Sequence, residues 1–237
     1  MNISDERVVK YSREVVIMRS IEVVKLIFED VDIARRDVGK IRGYVAAQFP
    51  EYDELHNHSG NQIIYRYPLI QYKVLNGEPV ILGINNGSKV LKAIVDELNL
   101  LHLGDEIIFS HERTINEYEA YLGISKEYIT YQFETPWLAL NAKNYRRFKE
   151  ASNGERDILL RRILIGNILS LSKAFDYVVN DRIDCSLNLK TKTVNYKNQK
   201  MLAFDGTFTV NFIIPEEFGI GKSVSKGFGT VRRLNYD

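Results

Sequence analysis

Hydrophobic periodicity alternates between strand-like and helix-like spacing along this chain, and the order of these segments restricts the fold. In residues 1–120 the pattern predicts, in chain order, a strand at 15–28, a helix at 33–48 capped by Asp32, a loop at 50–62, strands at 63–74 and 79–84 joined by an Asn76-Gly77 turn, a helix at 88–101 and a strand at 106–119. This is the strand, helix, strand, strand, helix, strand order of a ferredoxin-like domain.

The second half of the chain begins in the same way and then loses one element. The pattern predicts a strand at 128–133, a helix at 155–179, two strands at 183–196 and 201–214, and a short final strand at 228–234. Where a second helix would stand, the chain has only Pro215 to Phe218 and a glycine-rich stretch. We therefore predict an α+β fold with two tandem ferredoxin-like (RRM-like) domains, residues 1–122 and 123–237. The second is degenerate and carries a C-terminal glycine-rich loop.

Composition narrows the class of protein. Of the 237 residues, 45% are hydrophobic and 27% are charged, a balance that excludes a disordered, collagenous or coiled-coil chain. The single cysteine, Cys185, excludes an internal disulfide and a cysteine-rich zinc site, so we expect an intracellular, cytoplasmic protein. No apolar run approaches the roughly 20 residues that span a bilayer, and the N-terminus lacks the order of a signal peptide. We expect a soluble protein.

Charge is divided unevenly between the two halves. Residues 1–120 carry 14 Lys and Arg against 19 Asp and Glu, a net charge of −5, whereas residues 121–237 carry 18 against 12, a net charge of +6. A basic half is typical of a surface that faces a polyanion such as a nucleic acid. Chance or a dimer interface would produce the same division, so charge alone leaves the partner open.

The most informative motif lies near the C-terminus. Two Gly-apolar-Gly units, Gly219-Ile-Gly221 and Gly227-Phe-Gly229, flank a basic and hydroxyl-bearing centre with Lys222, Ser223, Ser225 and Lys226, and Arg232 and Arg233 follow. Backbone without a Cβ can turn its N–H groups toward a phosphate at close range. The alternative is a flexible connection, but Ile220 and Phe228 would be costly to expose and are better explained as buried anchors.

Two common phosphate-binding loops do not match this segment. A Walker loop needs a glycine five residues before its Gly-Lys-Ser triplet, and that position is Glu216. A dinucleotide-binding fingerprint needs Gly or Ala where Val224 stands, followed by a helix. We therefore do not expect a nucleotide hydrolase or a dinucleotide cofactor.

The glycine-rich segment resembles the signature loop of the CRISPR-associated endoribonucleases that cut precursor CRISPR RNA within its repeats. Gly219, Gly221, Gly227 and Gly229 match that loop position by position. The stretches Leu55-His-Asn-His58 and Tyr65-Arg-Tyr-Pro-Leu-Ile-Gln-Tyr72 look like the branch that serves type I-B systems. The resemblance implies two ferredoxin-like domains and a CRISPR repeat RNA as partner. It also allows other Cas subunits of an effector complex, or a second copy of the chain, as further partners.

Histidines supply the candidate catalytic groups. His56 and His58 lie one residue apart, and imidazole titrates near neutral pH, so one can accept a proton while the other donates. RNA carries its own 2′-hydroxyl nucleophile, so an acid and a base suffice without a metal or cofactor. The resemblance implies His58, His56 and Tyr65 as active-site positions, with Tyr65 positioning the 2′-hydroxyl or the phosphate. A zinc site would need ligands that the surrounding sequence lacks.

Other readings of these residues stay open. The two remaining histidines, His102 and His111, are predicted to be structural. Tyr65, Tyr67 and Tyr72, beside Arg66 and Lys73, would stack and pair with single-stranded nucleotides, or would form a half-buried strand, which we favour for Tyr72. The alternative function is a catalytically inactive RNA-binding subunit of a surveillance complex.

Basic residues of the second half are the expected phosphate contacts, and such contacts set affinity rather than sequence choice. The predicted RNA-binding residues are Gly219, Gly221, Lys222, Ser223, Lys226, Gly227, Gly229, Arg232, Arg161 and Arg162. Further basic clusters are Lys143, Arg146, Arg147 and Lys149, and Lys190, Lys192, Lys197 and Lys200.

Overall fold

The computed structural model describes residues 6–11, 14–56, 58–59, 62–63, 67–196 and 199–234. The strands are, in chain order, β1 (Glu6–Tyr11), β2 (Glu14–Phe28), β3 (His58–Ser59), β4 (Gln62–Ile63), β5 (Ile70–Leu75), β6 (Glu78–Ile84), β7 (Leu100–Leu103), β8 (Glu106–Phe109), β9 (Arg113–Phe133), β10 (Cys185–Tyr196), β11 (Gln199–Ile213) and β12 (Val231–Arg233). The helices are α1 (Val38–Gln48), α2 (Asp53–His56), α3 (Asn86–Ile94), α4 (Ala142–Glu150) and α5 (Asn153–Ala174).

Contacts divide the chain into two compact units. The N-terminal unit consists of Ile21–Ala120 together with Val224–Gly227, and the C-terminal unit contains the rest of the described chain. Two boundaries between the units fall inside long strands. One follows Ser20 in β2, and the other follows Ala120 in β9. The prediction of separate strands at 106–119 and 128–133 is therefore wrong, because β9 runs through 21 residues without a break. The domain ranges 1–122 and 123–237 stay a prediction.

The N-terminal unit has the strand order of a ferredoxin-like domain. β2 pairs antiparallel with β6, β6 pairs antiparallel with β5, and the first part of β9 flanks the other edge of β2. Side chains alternate between the faces of a strand, so Ile70, Tyr72 and Val74 of β5 all enter the hydrophobic core. α1 and α3 cover this face with buried residues such as Ile41 and Leu91.

Several predicted boundaries in this unit shift. α1 begins at Val38 with Asp37 as the residue before it, after a 3₁₀ turn at Arg35–Asp37, so capping by Asp32 is wrong. The predicted loop at 50–62 contains α2 and the short β3–β4 pair. The Asn76-Gly77 hairpin is confirmed, and both residues have the positive φ that this tight turn requires, 54° and 95°.

The C-terminal unit repeats the antiparallel pattern around the second part of β9. β11 pairs with β10 and with β9, and β12 pairs with β9 on its other edge. α5 packs through five buried aliphatic residues, Leu159, Leu160, Leu164, Ile168 and Leu171. It begins at a capping box formed by Ser152 and Glu155 and ends at Ala174, earlier than the predicted residue 179.

Aromatic side chains fill the centre of the C-terminal unit. Trp137 is fully buried and stacks on Phe133 with ring centroids 5.3 Å apart. The backbone of Trp137 exchanges two hydrogen bonds with Phe204 of β11, at 2.8 and 3.0 Å. These contacts fix the segment Pro136–Leu140 against the sheet, and this segment later supports the glycine-rich loop.

The sequence predicts that the second domain lacks its second helix. The structure describes every residue between β11 and β12, and no α-helix lies there. There the chain forms a single 3₁₀ turn, Val224–Lys226. The fold is thus α+β, with two ferredoxin-like domains in tandem, the second lacking one helix. No helix among the described residues combines the length and the apolar character that crossing a bilayer requires.

Candidate functional site

The glycine-rich loop is closed at its base by backbone hydrogen bonds. Gly219 and Thr230 form an antiparallel bridge, and the Ile220 N–H donates to the Gly229 carbonyl at 2.8 Å. Ile220 is 1% exposed, so the predicted burial of this anchor is confirmed. Phe228 is half-buried and meets Tyr196 edge to face, with ring centroids 5.7 Å apart. The base of the loop is therefore an ordered part of the C-terminal unit rather than a flexible connection.

Two glycines at the base are required by geometry. Gly229 has φ of 67°, and a Cβ there would collide with the carbonyl oxygen of Ile220. Gly221 has φ of 94°, and a Cβ there would lie 2.5 Å from Nε1 of Trp137. Because any larger residue would separate the loop from its support, geometry requires glycine at the second position of each Gly-apolar-Gly pair.

Several backbone N–H groups of the loop donate to carbonyl oxygens of the protein itself. The N–H of Lys222 donates to the Leu138 carbonyl at 3.2 Å, and the N–H of Gly229 donates to the Pro136 carbonyl at 3.0 Å. Those two bonds hold the loop on the Pro136–Leu140 segment, whereas the bond of Ile220 closes the base of the loop on itself. The N–H groups of Ile220, Lys222 and Gly229 therefore serve to fold the loop, and phosphate binding by the glycine backbone stays a prediction.

Side chains of the loop provide the polar groups that a ligand can reach. Lys222 is exposed along its chain, and its Nζ donates to the Leu140 carbonyl at 2.9 Å. Partial burial lowers the pKa of Lys222 from its ordinary value. Ser223 takes a positive φ of 59° at the start of the tip. A lysine amino group has three N–H donors, so one bond to Leu140 orients Lys222 and still permits contact with a phosphate.

The tip of the loop, Val224–Gly227, belongs to the N-terminal unit. Val224 is buried, and the tip packs against β5 and α1. A Cβ on Gly227 would lie 2.9 Å from the Tyr72 carbonyl oxygen and 3.3 Å from Cα of Lys73. The backbone of the tip therefore lies so close to Tyr72 and Lys73 of β5 that no side chain fits at Gly227.

Arg161 and Arg162 lie elsewhere, on the exposed face of α5. Arg161 pairs with Asp157 at 2.7 Å, one helical turn earlier. Arg162 lines a groove of about 350 Å³ with Arg147 and Ile158, and both arginines line a second groove of about 470 Å³. Arg232 is exposed beyond the loop, where its Nε lies 3.3 Å from a carboxylate oxygen of Glu134.

The predicted catalytic residues fall at the edge of the described chain. His56 is the last residue of α2, and His58 opens β3 opposite Ile63. Only the backbone of these two histidines is described, and Tyr65 lies outside the described residues. The roles of His56, His58 and Tyr65 stay predictions.

The other two histidines have identifiable structural surroundings. The ring of His102 stacks on Tyr44, with centroids 4.6 Å apart and planes 10° apart. The backbone N–H of His111 donates to Asp30 at 2.6 Å, and this bond lowers the pKa of the Asp30 carboxyl. Both contacts lie within the N-terminal unit, as expected for residues that stabilise loops and strands.

Two buried polar side chains on β5 were not distinguished by the sequence. Gln71 and Lys73 are both fully buried, on the face of the strand opposite Tyr72. Tyr72 is 1% exposed within the core, so stacking on RNA bases by Tyr72 is excluded and its burial raises the pKa of its phenol. The alternation of aromatic and basic residues had suggested an RNA-facing strand, and nothing local in the sequence marks Lys73 as buried.

Two family models match this chain. The model of the Cas6b N-terminal domain matches residues 19–120, and that of the Cas6b C-terminal domain matches residues 123–234. The chain belongs to the Cas6b family. A crystal structure of Cas6b is similar to this chain, with 36% sequence identity and a TM-score of 0.88. The similarity covers 91% of this chain and all of that one.

Three further proteins are similar to this Cas6b chain. A crystal structure of the CRISPR RNA processing endoribonuclease Cas6b is 34% identical, with a TM-score of 0.76 over 91% of this chain and all of that one. An uncharacterised protein of Methanocaldococcus jannaschii is 46% identical over 113 residues, which are 47% of this chain and 77% of that protein. Cas6 of Thermus thermophilus, at 13% identity and a TM-score of 0.53 over 91% of this chain and 98% of that one, shares the fold.

Proposed function

We propose that this protein is an endoribonuclease that cleaves precursor CRISPR RNA within its repeats and releases mature CRISPR RNA. The observation that carries the proposal is the match of both Cas6b domain models, together with similarity over 91% of the chain to a structure described as a CRISPR RNA processing endoribonuclease. The ordered glycine-rich loop and the basic residues near it supply a surface suited to a polyanion.

The chemistry we propose needs no metal. A base removes the proton from a 2′-hydroxyl, the freed oxygen attacks the adjacent phosphorus, and an acid protonates the departing 5′-oxygen. His58 is the principal acid or base, His56 is its partner, and Tyr65 positions the reacting groups. The products are a 5′-hydroxyl end and a 2′,3′-cyclic phosphate or 3′-phosphate end, because the nucleophile belongs to the RNA.

RNA binding is assigned to side chains rather than to the glycine backbone. Lys222 is oriented by its bond to the Leu140 carbonyl, Ser223 follows it, and Lys226 lies in the tip. Arg232, Arg161 and Arg162 are exposed cations in the C-terminal unit. Gly219, Gly221, Gly227 and Gly229 contribute indirectly, by giving the backbone the path that presents these groups.

The test compares two histidine variants on one RNA. A labelled synthetic RNA that carries one CRISPR repeat of the host is incubated with excess protein, with and without EDTA, and single-turnover rates are measured. Cleavage persists in EDTA, and His58→Ala slows it by about 10²–10⁴-fold, the contribution of one acid or base. His111→Ala, which removes an exposed imidazole but keeps the backbone bond to Asp30, cleaves at the parent rate.

Three outcomes contradict parts of this proposal. Loss of cleavage in EDTA removes the metal-free mechanism. An unchanged rate in His58→Ala removes His58 from the acid–base role. Binding of the repeat RNA by the parent without any cleavage would favour the alternative of an RNA-retaining subunit of a larger complex.

A further inference from the structure

Asn167 of α5 lies against the tryptophan that supports the glycine-rich loop. Nε1 of Trp137 donates a hydrogen bond to Oδ1 of Asn167 at 3.2 Å. The same edge of the indole meets the loop, because a Cβ added to Gly221 would lie 2.5 Å from Nε1 and 2.8 Å from Cδ1. Gly221 is followed directly by Lys222, the cation that we assign to RNA binding. All four residues belong to the C-terminal unit, and only the indole edge separates Asn167 from the start of the basic centre of the loop.

The bond to Trp137 determines which way the amide of Asn167 faces. An indole N–H only donates, so the carbonyl oxygen of Asn167 must face Trp137 and its NH₂ group is directed elsewhere. Trp137 is fully buried, and turning the amide over would leave its N–H without an acceptor. The backbone of Trp137 is itself held by two hydrogen bonds to Phe204. Asn167 therefore presents two N–H donors in a fixed direction.

The NH₂ group of Asn167 is available to a ligand. Asn167 is half-buried, and among the residues that the structure describes its Nδ2 has no hydrogen-bond partner. Nor is Nδ2 one of the described polar atoms that are buried without a partner. The neighbouring residues Gly166 and Ser170 are small and exposed, and a Cβ on Gly166 would meet nothing within 4 Å. This part of α5 is therefore open to a strand that also reaches the loop.

We propose that the NH₂ group of Asn167 donates a hydrogen bond to the RNA held by the glycine-rich loop, so that the RNA-binding surface extends from Lys222 onto α5. This inference rests on the proposed function. RNA offers acceptors for such a donor in its phosphate oxygens, its 2′-hydroxyls and the edges of its bases. Because the amide is neutral, this contact adds affinity without the release of a counterion, whereas a lysine contact releases one.

The experiment removes the donor and keeps the acceptor. Asn167→Asp preserves the shape of the side chain and an oxygen that accepts from Trp137, but it replaces the NH₂ group with a carboxylate oxygen. Asn153→Asp is the matched control, with the same change of residue and net charge at the exposed start of the same helix. The Kd of labelled repeat RNA is measured by fluorescence anisotropy before cleavage proceeds. We expect Asn167→Asp to weaken binding about 10-fold, through a lost hydrogen bond and an added repulsion, and Asn153→Asp to weaken it less than about 2-fold.

A neutral variant separates direct contact from an effect on the loop. Asn167→Ala should weaken binding about threefold, the value of one hydrogen bond, and leave the slope of log Kd against log salt unchanged. Its loss should multiply with that of Lys222→Met, because the two side chains make separate contacts. If Asn167 acted only by holding the loop, Asn167→Ala would lower the slope by about 0.7, as loss of the Lys222 contact does, and the double variant would bind no more weakly than Lys222→Met.

Contrary outcomes are clear for each variant. Equal Kd values for Asn167→Asp and Asn153→Asp overturn the contact, as does a lowered salt slope in Asn167→Ala. If Asn167→Asp does not fold, Asn167→Ala and its combination with Lys222→Met decide alone. A parent that binds the repeat RNA but does not cleave it contradicts the endoribonuclease function, while the same Kd values still judge the Asn167 contact. A parent that does not bind the repeat RNA overturns both.

Discussion

The two ferredoxin-like units differ most between their third and fourth strands. In the N-terminal unit this position holds α3, which buries Val90, Leu91 and Ile94 against the sheet. In the C-terminal unit the same position, between β11 and β12, holds the glycine-rich loop, which buries Phe218 and Ile220. Backbone groups inside a helix bond to one another, whereas two N–H groups of the loop, those of Lys222 and Gly229, bond to the Pro136–Leu140 segment and so hold Lys222 at a fixed place.

The difference teaches that one position in a fold can serve stability in one domain and recognition in the other. A substitution in α3 should then affect folding alone, whereas an equivalent substitution in the loop should affect folding and RNA binding together. The following predictions test that contrast, beginning with the largest expected effect.

The first prediction compares two buried aliphatic residues, Leu91 of α3 and Ile220 of the loop. Both are at most 1% exposed, so Leu91→Ala and Ile220→Ala should each lower the free energy of unfolding by about 2–5 kcal/mol, measured by urea denaturation. At a temperature where both variants are folded, Ile220→Ala should also weaken binding of the repeat RNA, because the loop loses its anchor. The contrast between helix and loop is wrong if Leu91→Ala weakens RNA binding as much as Ile220→Ala does.

The second prediction compares two glycines of the C-terminal unit. Gly229→Ala forces a side chain into left-handed backbone and onto the Ile220 carbonyl, and it should cost about 2–4 kcal/mol, the sum of strain and collision. Gly166→Ala, in α5, meets nothing within 4 Å and should stabilise the protein by about 1 kcal/mol through helix propensity. Thermal unfolding measures both effects: the melting temperature should fall in Gly229→Ala and rise in Gly166→Ala. Equal effects of the two substitutions would show that the loop tolerates a side chain at Gly229.

Sequence periodicity predicted the elements that depend on local pattern. The Asn76-Gly77 hairpin and the strand now assigned as β2 follow from residues close together in the chain. The buried face of α5 was predicted incorrectly, because Leu169, expected to be buried, is exposed. The unbroken β9 was missed because Gly123 and Ser125 look like a turn, whereas in the structure Gly123 pairs with Ile213 of β11. Pairing with a distant strand outweighs local propensity there.

The candidate site was predicted by composition more than by contacts. The glycines and Ile220 were identified because their residue types suit a tight loop with an apolar anchor. The bonds that hold the loop on its support, Lys222 with Leu138 and Gly229 with Pro136, connect residues that are far apart in sequence, and no local pattern reveals them. The burial of Lys73 has the same origin, because an isolated lysine on a strand normally faces water.

The last and smallest effect concerns one lysine in each unit, Lys222 of the loop and Lys89 of α3. Lys222→Met removes a cation that the Leu140 carbonyl orients, and it should weaken RNA binding about fivefold, the value of roughly 1 kcal/mol for a solvent-accessible charge contact. The slope of log Kd against log salt should fall by about 0.7, as expected for one lost phosphate contact on single-stranded RNA. Lys89→Met, on the exposed side of α3, should change neither quantity.

Acidity supplies a second measurement on Lys222. Partial burial lowers its pKa, so in the free protein this amino group loses its charge at a lower pH than an ordinary lysine side chain does. The charged form binds RNA, and the contribution of Lys222 is therefore present below its pKa and lost as the pH rises through it. The difference in RNA affinity between the parent and Lys222→Met should shrink as the pH is raised from neutral, in titrations at constant salt. A difference that stays constant over that range would mean that the charge of Lys222 does not contact the RNA.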